Sequence, residues 1–190
     1  HVPVGADQKQ HLELCRDIAQ KFNNDFNAVN FFKVPEPLIQ NKFSRIMSLK
    51  DGTKKMSKSD PSDLSRINLN DKKDEIINKI KKAKTDDQLM PESAKNLDNR
   101  PEVDNLLSIY SSLKDQNLEK SITEFKRKNF SEFKEKLSDI IVDKIEPISK
   151  EIKKLLADKN YLDKILLDGS NKASKIASKK INEIRQLIGF

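Results

Sequence analysis

His1-Val2-Pro3-Val4-Gly5-Ala6-Asp7-Gln8-Lys9-Gln10-His11 is the stretch on which the fold turns. A short apolar run ends at a glycine, a polar pair follows, and apolar residues then recur at helical spacing through Leu12, Cys15, Ile18, Ala19 and Phe22. That order predicts the end of a buried strand, a tight glycine turn and a helix start, the unit from which open α/β sheets are built. In such sheets ligands sit beyond the carboxyl ends of the strands, where a glycine lets the backbone approach a ribose or a phosphate. Gly5 fits that position. Asp7 fits two roles: accepting hydrogen bonds from both hydroxyls of a ribose, or capping the helix that begins near Gln8. Gln8 offers a neutral donor and acceptor to a polar substrate group.

A second motif, Lys54-Lys55-Met56-Ser57-Lys58-Ser59-Asp60-Pro61, follows Ile46-Met47-Ser48-Leu49. The apolar stretch reads as a short strand, which puts residues 50–61 on a loop at its carboxyl end. Lys55 and Lys58, separated by Met56 and Ser57, can close on a triphosphate and follow its charge as pyrophosphate departs. In a chain this rich in lysine the same run also reads as a solvated loop. Between the two motifs, residues 23–42 look loop-like, with Pro35 and Pro37 framing an apolar segment and Phe31, Phe32 and Phe43 as its anchors.

The combination of a Gly-x-Asp-Gln element entering a helix with a Lys-Met-Ser-Lys-Ser loop resembles the class I aminoacyl-tRNA synthetases. Val2-Pro3-Val4-Gly5-Ala6-Asp7-Gln8-Lys9-Gln10-His11-Leu12-Glu13-Leu14, then Arg16-Asp17-Ile18-Ala19, is similar to the bacterial-type tryptophanyl-tRNA synthetase family, and Arg45-Ile46-Met47-Ser48-Leu49 precedes the lysine loop as it does there. The resemblance continues more weakly through Asn105-Leu106-Leu107-Ser108-Ile109-Tyr110. Tyrosyl-tRNA synthetases share the first element, but the Lys-Gln-His continuation fits the tryptophan family better.

The resemblance implies an α/β remnant of a Rossmann-type catalytic domain over residues 1–65, followed by a mainly α-helical, tRNA-binding bundle over residues 66–190, the whole predominantly helical. It implies ATP-dependent attachment of tryptophan to its tRNA through an aminoacyl adenylate, with ATP and Mg2+ required, L-tryptophan and tRNA as partners, a homodimer, and a cytoplasmic location. Lys55 and Lys58 would be catalytic. Gly5, Ala6, Asp7, Ile46, Lys55, Met56, Ser57, Lys58 and Ser59 would bind ATP, and Gln8 would meet the amino acid. No metal-binding side chains are implied. The family's histidine-and-glycine phosphate motif has no counterpart here, so the chain is expected to be the C-terminal part of such an enzyme and inactive alone. Ala6 stands where bacterial members carry Glu.

Composition is compatible with that reading and with one of a different class, a non-catalytic basic helical RNA-binding module of the same ancestry. The formal charge is +7 in 190 residues, with a pI near 9.3. This favours a polyanionic partner, although an excess of Lys over Arg with abundant Asn also arises from genome composition alone. A single cysteine, Cys15, cannot close an internal disulfide; its place on the first helical stripe predicts a packed thiol in a reducing compartment. No apolar stretch is long enough to cross a bilayer and no leader is recognisable.

From about Asp71 onward one-sided helical stripes dominate: Ile76, Ile77, Ile80 and Ala83; Val103, Leu106, Leu107, Tyr110 and Leu113; Leu118, Ile122 and Phe125. A longer stripe from Phe133 to Leu155 is expected to kink or divide at Pro147, and Gly169 is expected to end the segment holding Leu162, Ile165 and Leu166. The last helix should bury Ile176, Ile181, Ile184 and Ile188 and turn Lys172, Lys175, Lys179 and Lys180 outward, as a tRNA-facing surface or a solvated one.

Overall fold

The computed structural model describes residues 4–5, 8–38 and 45–190. Among them the protein is predominantly helical, with α1 (Lys9–Asp25), α2 (Lys73–Lys82), α3 (Pro101–Leu113), α4 (Leu118–Phe125), α5 (Phe130–Ala157) and α6 (Lys159–Ile188). Single 3-10 turns lie at Asp63–Ser65 and Ala94–Leu97. The chain forms two compact units, Arg45–Lys154 and His1–Ser44 together with Leu155–Phe190.

The unit Arg45–Lys154 contains the larger core, and its helices start where the sequence supplies caps. Pro101 occupies the first turn of α3, where its missing N–H costs nothing, with Glu102 and Asp104 beside it to suit the helix dipole. Asn117 caps α4 by accepting from the Lys120 amide at 2.9 Å, and the Glu75 carboxylate reaches back to the Lys72 amide at the start of α2. Val103, Leu106, Leu107 and Tyr110 of α3 then pack with Ile76 and Ile80 of α2, Ile122 and Phe125 of α4, and Phe133, Leu137 and Ile141 of α5. The rings of Tyr110, Phe125 and Phe133 meet edge to face at 4.9–6.0 Å, a geometry that adds to the transfer free energy of their burial. The stripes read from the sequence are therefore the core of this unit.

The strand expected over Ile46-Met47-Ser48-Leu49 does not propagate into a sheet among the described residues. It is a single antiparallel bridge, Met47 opposite Lys55. Pairing stops there because the outer backbone groups of Met47 are taken by a side chain, that of Asn105. Pro147 does not divide α5 either, which runs continuously from Phe130 to Ala157. Pro147 and Asp143 are both exposed, so the carbonyl that loses its helical donor can be hydrated.

In the other unit, Phe22 of α1 gathers Phe26, Phe31 and Phe32 with ring centroids 4.7–5.5 Å apart. Asn23 fixes the returning loop by donating to the Phe32 carbonyl at 2.8 Å and accepting from the Phe32 amide at 2.9 Å. Phe43, expected to join this cluster, lies outside the described residues. Two expectations fail here. Gly169 does not end a helix; α6 passes through it and stops at Gly189, whose φ of 86° needs glycine. The stripes of α1 and α6 are also largely uncovered: Cys15 is exposed, Ile18 is 59% exposed and Ile176 is 74% exposed, while α6 buries no residue. Helical period reports that a helix has an apolar face and is silent on what covers it.

Candidate functional site

The two motifs fall in different units, Gly5 and Gln8 with α1 and the lysine loop with Arg45–Lys154. In the first, the Val4 amide donates to the Leu38 carbonyl at 3.3 Å, and the chain then turns so that the Gln8 amide donates to the Gly5 carbonyl at 3.0 Å. Gln8 is the N-terminal flanking residue of α1 and its side chain does not cap the helix. A glycine turn leading directly into a helix is what the sequence predicted. Ala6 and Asp7 lie outside the described residues.

A short hairpin leads into the lysine loop. The Ser48 amide donates to the Lys54 carbonyl at 2.8 Å and the Met56 amide to the Ile46 carbonyl at 3.0 Å, bracketing Met47 and Lys55. Ile46 is thus tied to the loop by its carbonyl, and Met56 packs its side chain against the core. Lys55 and Lys58 are both exposed. Between them Ser57 organises the turn: its hydroxyl lies 2.9 Å from that of Ser59 and accepts from the Ser59 amide at 3.3 Å. Lys54 turns back to Asp51, 3.2 Å away. Lys55 thus stands on the second strand of this hairpin and Lys58 just beyond it, two exposed cations three residues apart that are able to hold a chain of phosphates.

The segments on both sides of the lysine loop are braced by residues outside either motif. In the turn of the hairpin, Asp51 accepts from the Thr53 hydroxyl at 2.6 Å and from the Thr53 amide at 3.1 Å. The Thr53 hydroxyl, then its amide and Lys54, hold the Asp51 carboxyl down at about 2. Gly52 lies against the first turn of α3, where a Cβ would stand 2.4 Å from the Glu102 nitrogen. Beyond the lysine loop, Arg66 donates to the Asp60 carbonyl at 2.9 Å, and buried Lys79 of α2 pairs with Asp63 at 2.7 Å and Asp71 at 2.6 Å. Hydrogen bonding from Lys79, then from Asn68, holds the Asp63 carboxyl below its ordinary value.

Sequence reasoning missed these braces. Asn105 carried the one visible signal, an amide set among the apolar positions Val103, Leu106 and Leu107 of α3. Lys79 looked like any outward lysine between Ile76 and Ile80. Of the cationic row on α6, Lys172, Lys175 and Lys179 are exposed, but Lys180 is committed: its ammonium lies 3.7 Å from the centre of the Phe31 ring, 3.2 Å from the Phe31 carbonyl and 3.0 Å from Glu183. Among the described residues no three His, Cys, Asp or Glu side chains cluster so as to hold a metal ion, and no helix is long and apolar enough to cross a membrane.

Comparison with known proteins points one way. The profile of the family described as "tRNA synthetases class I (W and Y)" matches residues 1–145. The tryptophan–tRNA ligases of Caulobacter vibrioides and Rickettsia felis are 49% and 52% identical over 190 and 189 residues, covering all of this chain and 55% and 56% of those proteins. Among solved structures, the chain is similar to the tryptophanyl-tRNA synthetase of Mycoplasma pneumoniae (TM-score 0.79, 30% identity) and to that of Campylobacter jejuni complexed with ADP and tryptophan (TM-score 0.68, 28% identity). Each match covers 100% of this chain and 56% of the solved one. The chain thus spans little more than half the length of these relatives.

Proposed function

Given that the chain belongs to the class I tRNA synthetases of the tryptophan and tyrosine branch, we propose that it forms the C-terminal part of an enzyme that attaches tryptophan to its tRNA. The observation that carries this reading is the exposed pair Lys55, on a braced hairpin, and Lys58, just beyond it. Relatives named as tryptophan ligases, about half identical over the whole chain, support tryptophan over tyrosine. In this reading residues 1–65 are the second half of a Rossmann-type catalytic domain and residues 66–190 the helical, tRNA-binding part. The full protein is a homodimer working in the cytoplasm.

The reaction has two steps. A tryptophan carboxylate oxygen attacks the α-phosphorus of ATP; the new P–O bond forms as the bond to the β-phosphate breaks, releasing pyrophosphate. A terminal ribose hydroxyl of tRNA then attacks the activated carbonyl, losing its proton, and AMP leaves with the bonding pair. No protein nucleophile is needed, so the chain contributes position and charge. Lys55 and Lys58 neutralise the departing phosphates, with Ser57 and Ser59 shaping the turn between them. The Met56 region and the Ile46 backbone meet adenine, Gly5, Ala6 and Asp7 the nucleoside, and Gln8 the amino acid. Mg2+ would enter with the nucleotide and supply further positive charge to the departing pyrophosphate, beside Lys55 and Lys58.

The test is amino-acid-dependent ATP–pyrophosphate exchange with tryptophan and with tyrosine, on the chain alone and joined to an upstream nucleotide-binding half. Exchange with tryptophan only in the joined protein is expected. Exchange with tyrosine would move it to the sister specificity, and none with either would favour the non-catalytic RNA-binding module.

A further inference from the structure

The backbone of Met47 is a strand with one neighbour made of main chain and another made of a single side chain. In the bridge with Lys55, the hydrogen bonds run from the residues on either side, Ser48 to Lys54 and Met56 to Ile46. The N–H and C=O of Met47 itself therefore point the other way, to where a third strand would lie. Asn105 fills that place. Its carboxamide oxygen accepts from the Met47 amide at 2.8 Å, and its carboxamide nitrogen donates to the Met47 carbonyl at 2.8 Å. A primary amide carries the donor and acceptor of a peptide unit, so this one side chain stands in for a strand. Asn105 is 5% exposed and sits on α3 among Val103, Leu106 and Leu107, which are at most 1% exposed. The clamp is thus fixed to the buried core of the unit, while Lys55 stands directly across the bridge from the clamped residue.

We infer that Asn105 is a positioning residue for the lysine loop: by gripping Met47 from the side opposite Lys55, it sets the register in which Lys55 is delivered to the phosphates. The inference rests on the ligase reading given above. A register error in the hairpin moves Lys55 relative to its target, and shifts Ile46 and Met56 with it, while the nucleoside contacts proposed for Gly5, Ala6 and Asp7 are not part of the hairpin; the effect therefore falls more on turnover than on nucleotide affinity. Gly52 lets the hairpin sit against the preceding turn of α3, because only a residue without a Cβ can lie against Glu102 there.

The experiment compares Asn105→Ala, Asn105→Asp, Lys55→Ala and the Asn105→Ala/Lys55→Ala double variant in a full-length ligase carrying this chain. The readouts are kcat and the KM for ATP in pyrophosphate exchange, with whichever amino acid supports it. Asn105→Ala is expected to lower kcat at least tenfold with a smaller rise in the KM for ATP, and to lower kcat less than threefold further once Lys55 is alanine, because coupled residues are not additive. Equal factors in both backgrounds would overturn the inference. Asn105→Asp keeps size and acceptor but cannot donate to the Met47 carbonyl. It opens no cavity, and the same tenfold loss is expected; parent-like kcat in a folded Asn105→Asp protein would overturn the inference even if the alanine variant fails to fold. Should the parent exchange with neither amino acid, the ligase reading fails separately. Amide hydrogen exchange of residues 46–56 then decides the clamp, with protection at least tenfold weaker in Asn105→Asp expected and unchanged protection overturning it.

Discussion

Lys79 and Asp71 form an ion pair of 2.6 Å in which neither side chain is more than 8% exposed. Asp71 also accepts from the Asn68 amide at 2.9 Å, so the pair ties α2 to the segment that leaves the lysine loop. Its value lies in being complete. Lys79→Ala strands a carboxylate away from water and should cost about 3–5 kcal/mol, whereas Lys79→Met with Asp71→Leu should recover most of that loss. Urea unfolding midpoints of the single and double variants check both signs.

Arg100 grips Asp86 through two hydrogen bonds of 2.6 and 2.7 Å. Hydrogen bonding from Arg100 is the foremost reason that the Asp86 carboxyl is held below its ordinary value of 3.8. A carboxyl depressed on folding stabilises the protein fully above its unfolded pKa, and that contribution drains away as pH falls through the folded value. Stability measured from pH 7 down to about 2 should therefore drop on its acid limb, and Asp86→Asn should be less stable at pH 7 and show a shallower drop below 3.8.

Two glycines should respond to alanine with opposite signs. At Gly52 the added methyl would meet backbone atoms of Pro101 and Glu102 at 2.4–2.6 Å, and Gly52→Ala should destabilise by about 1–3 kcal/mol through overpacking. At Gly169, inside α6, nothing lies within 4 Å, and Gly169→Ala should stabilise the helix by about 1 kcal/mol. Thermal melts of the two variants should move apart.

Lys58→Ala should lower pyrophosphate-exchange turnover at least tenfold with little change in the KM for ATP, since its charge matters most as pyrophosphate departs. Equal turnover in Lys58→Ala and parent would remove it from the site. Lys54→Ala should change turnover less than threefold, because its ammonium is turned to Asp51, 3.2 Å away.

Much of this was legible in the residues. The core of Arg45–Lys154 follows the apolar period of α2, α3, α4 and α5, and caps such as Asn117 are local signals that a sequence carries intact. The glycine turn at Gly5 and the loop bearing Lys55 and Lys58 were likewise readable, because spacing along the chain is itself their geometry. What escaped reading depends on distant partners. No local pattern says that Asn105 closes on Met47, fifty-eight positions away, or that Lys79 points inward to two carboxylates. Pro147 and Gly169 were read as breaks from propensity alone, and in exposed stretches of long helices that weak preference was overridden. The stripes of α1 and α6 announced apolar faces correctly and burial wrongly.

The use of an amide side chain as a substitute strand has a consequence for how the molecule behaves in company. A row of unpaired backbone groups beside a hairpin is a template on which a stranger's chain can add itself, and sheet proteins guard such rows against aggregation. Here the row at Met47 is one residue long and already filled by Asn105, which offers no backbone beyond it for the next molecule to copy. The hairpin can therefore stay short and keep its lysines in solvent without becoming adhesive.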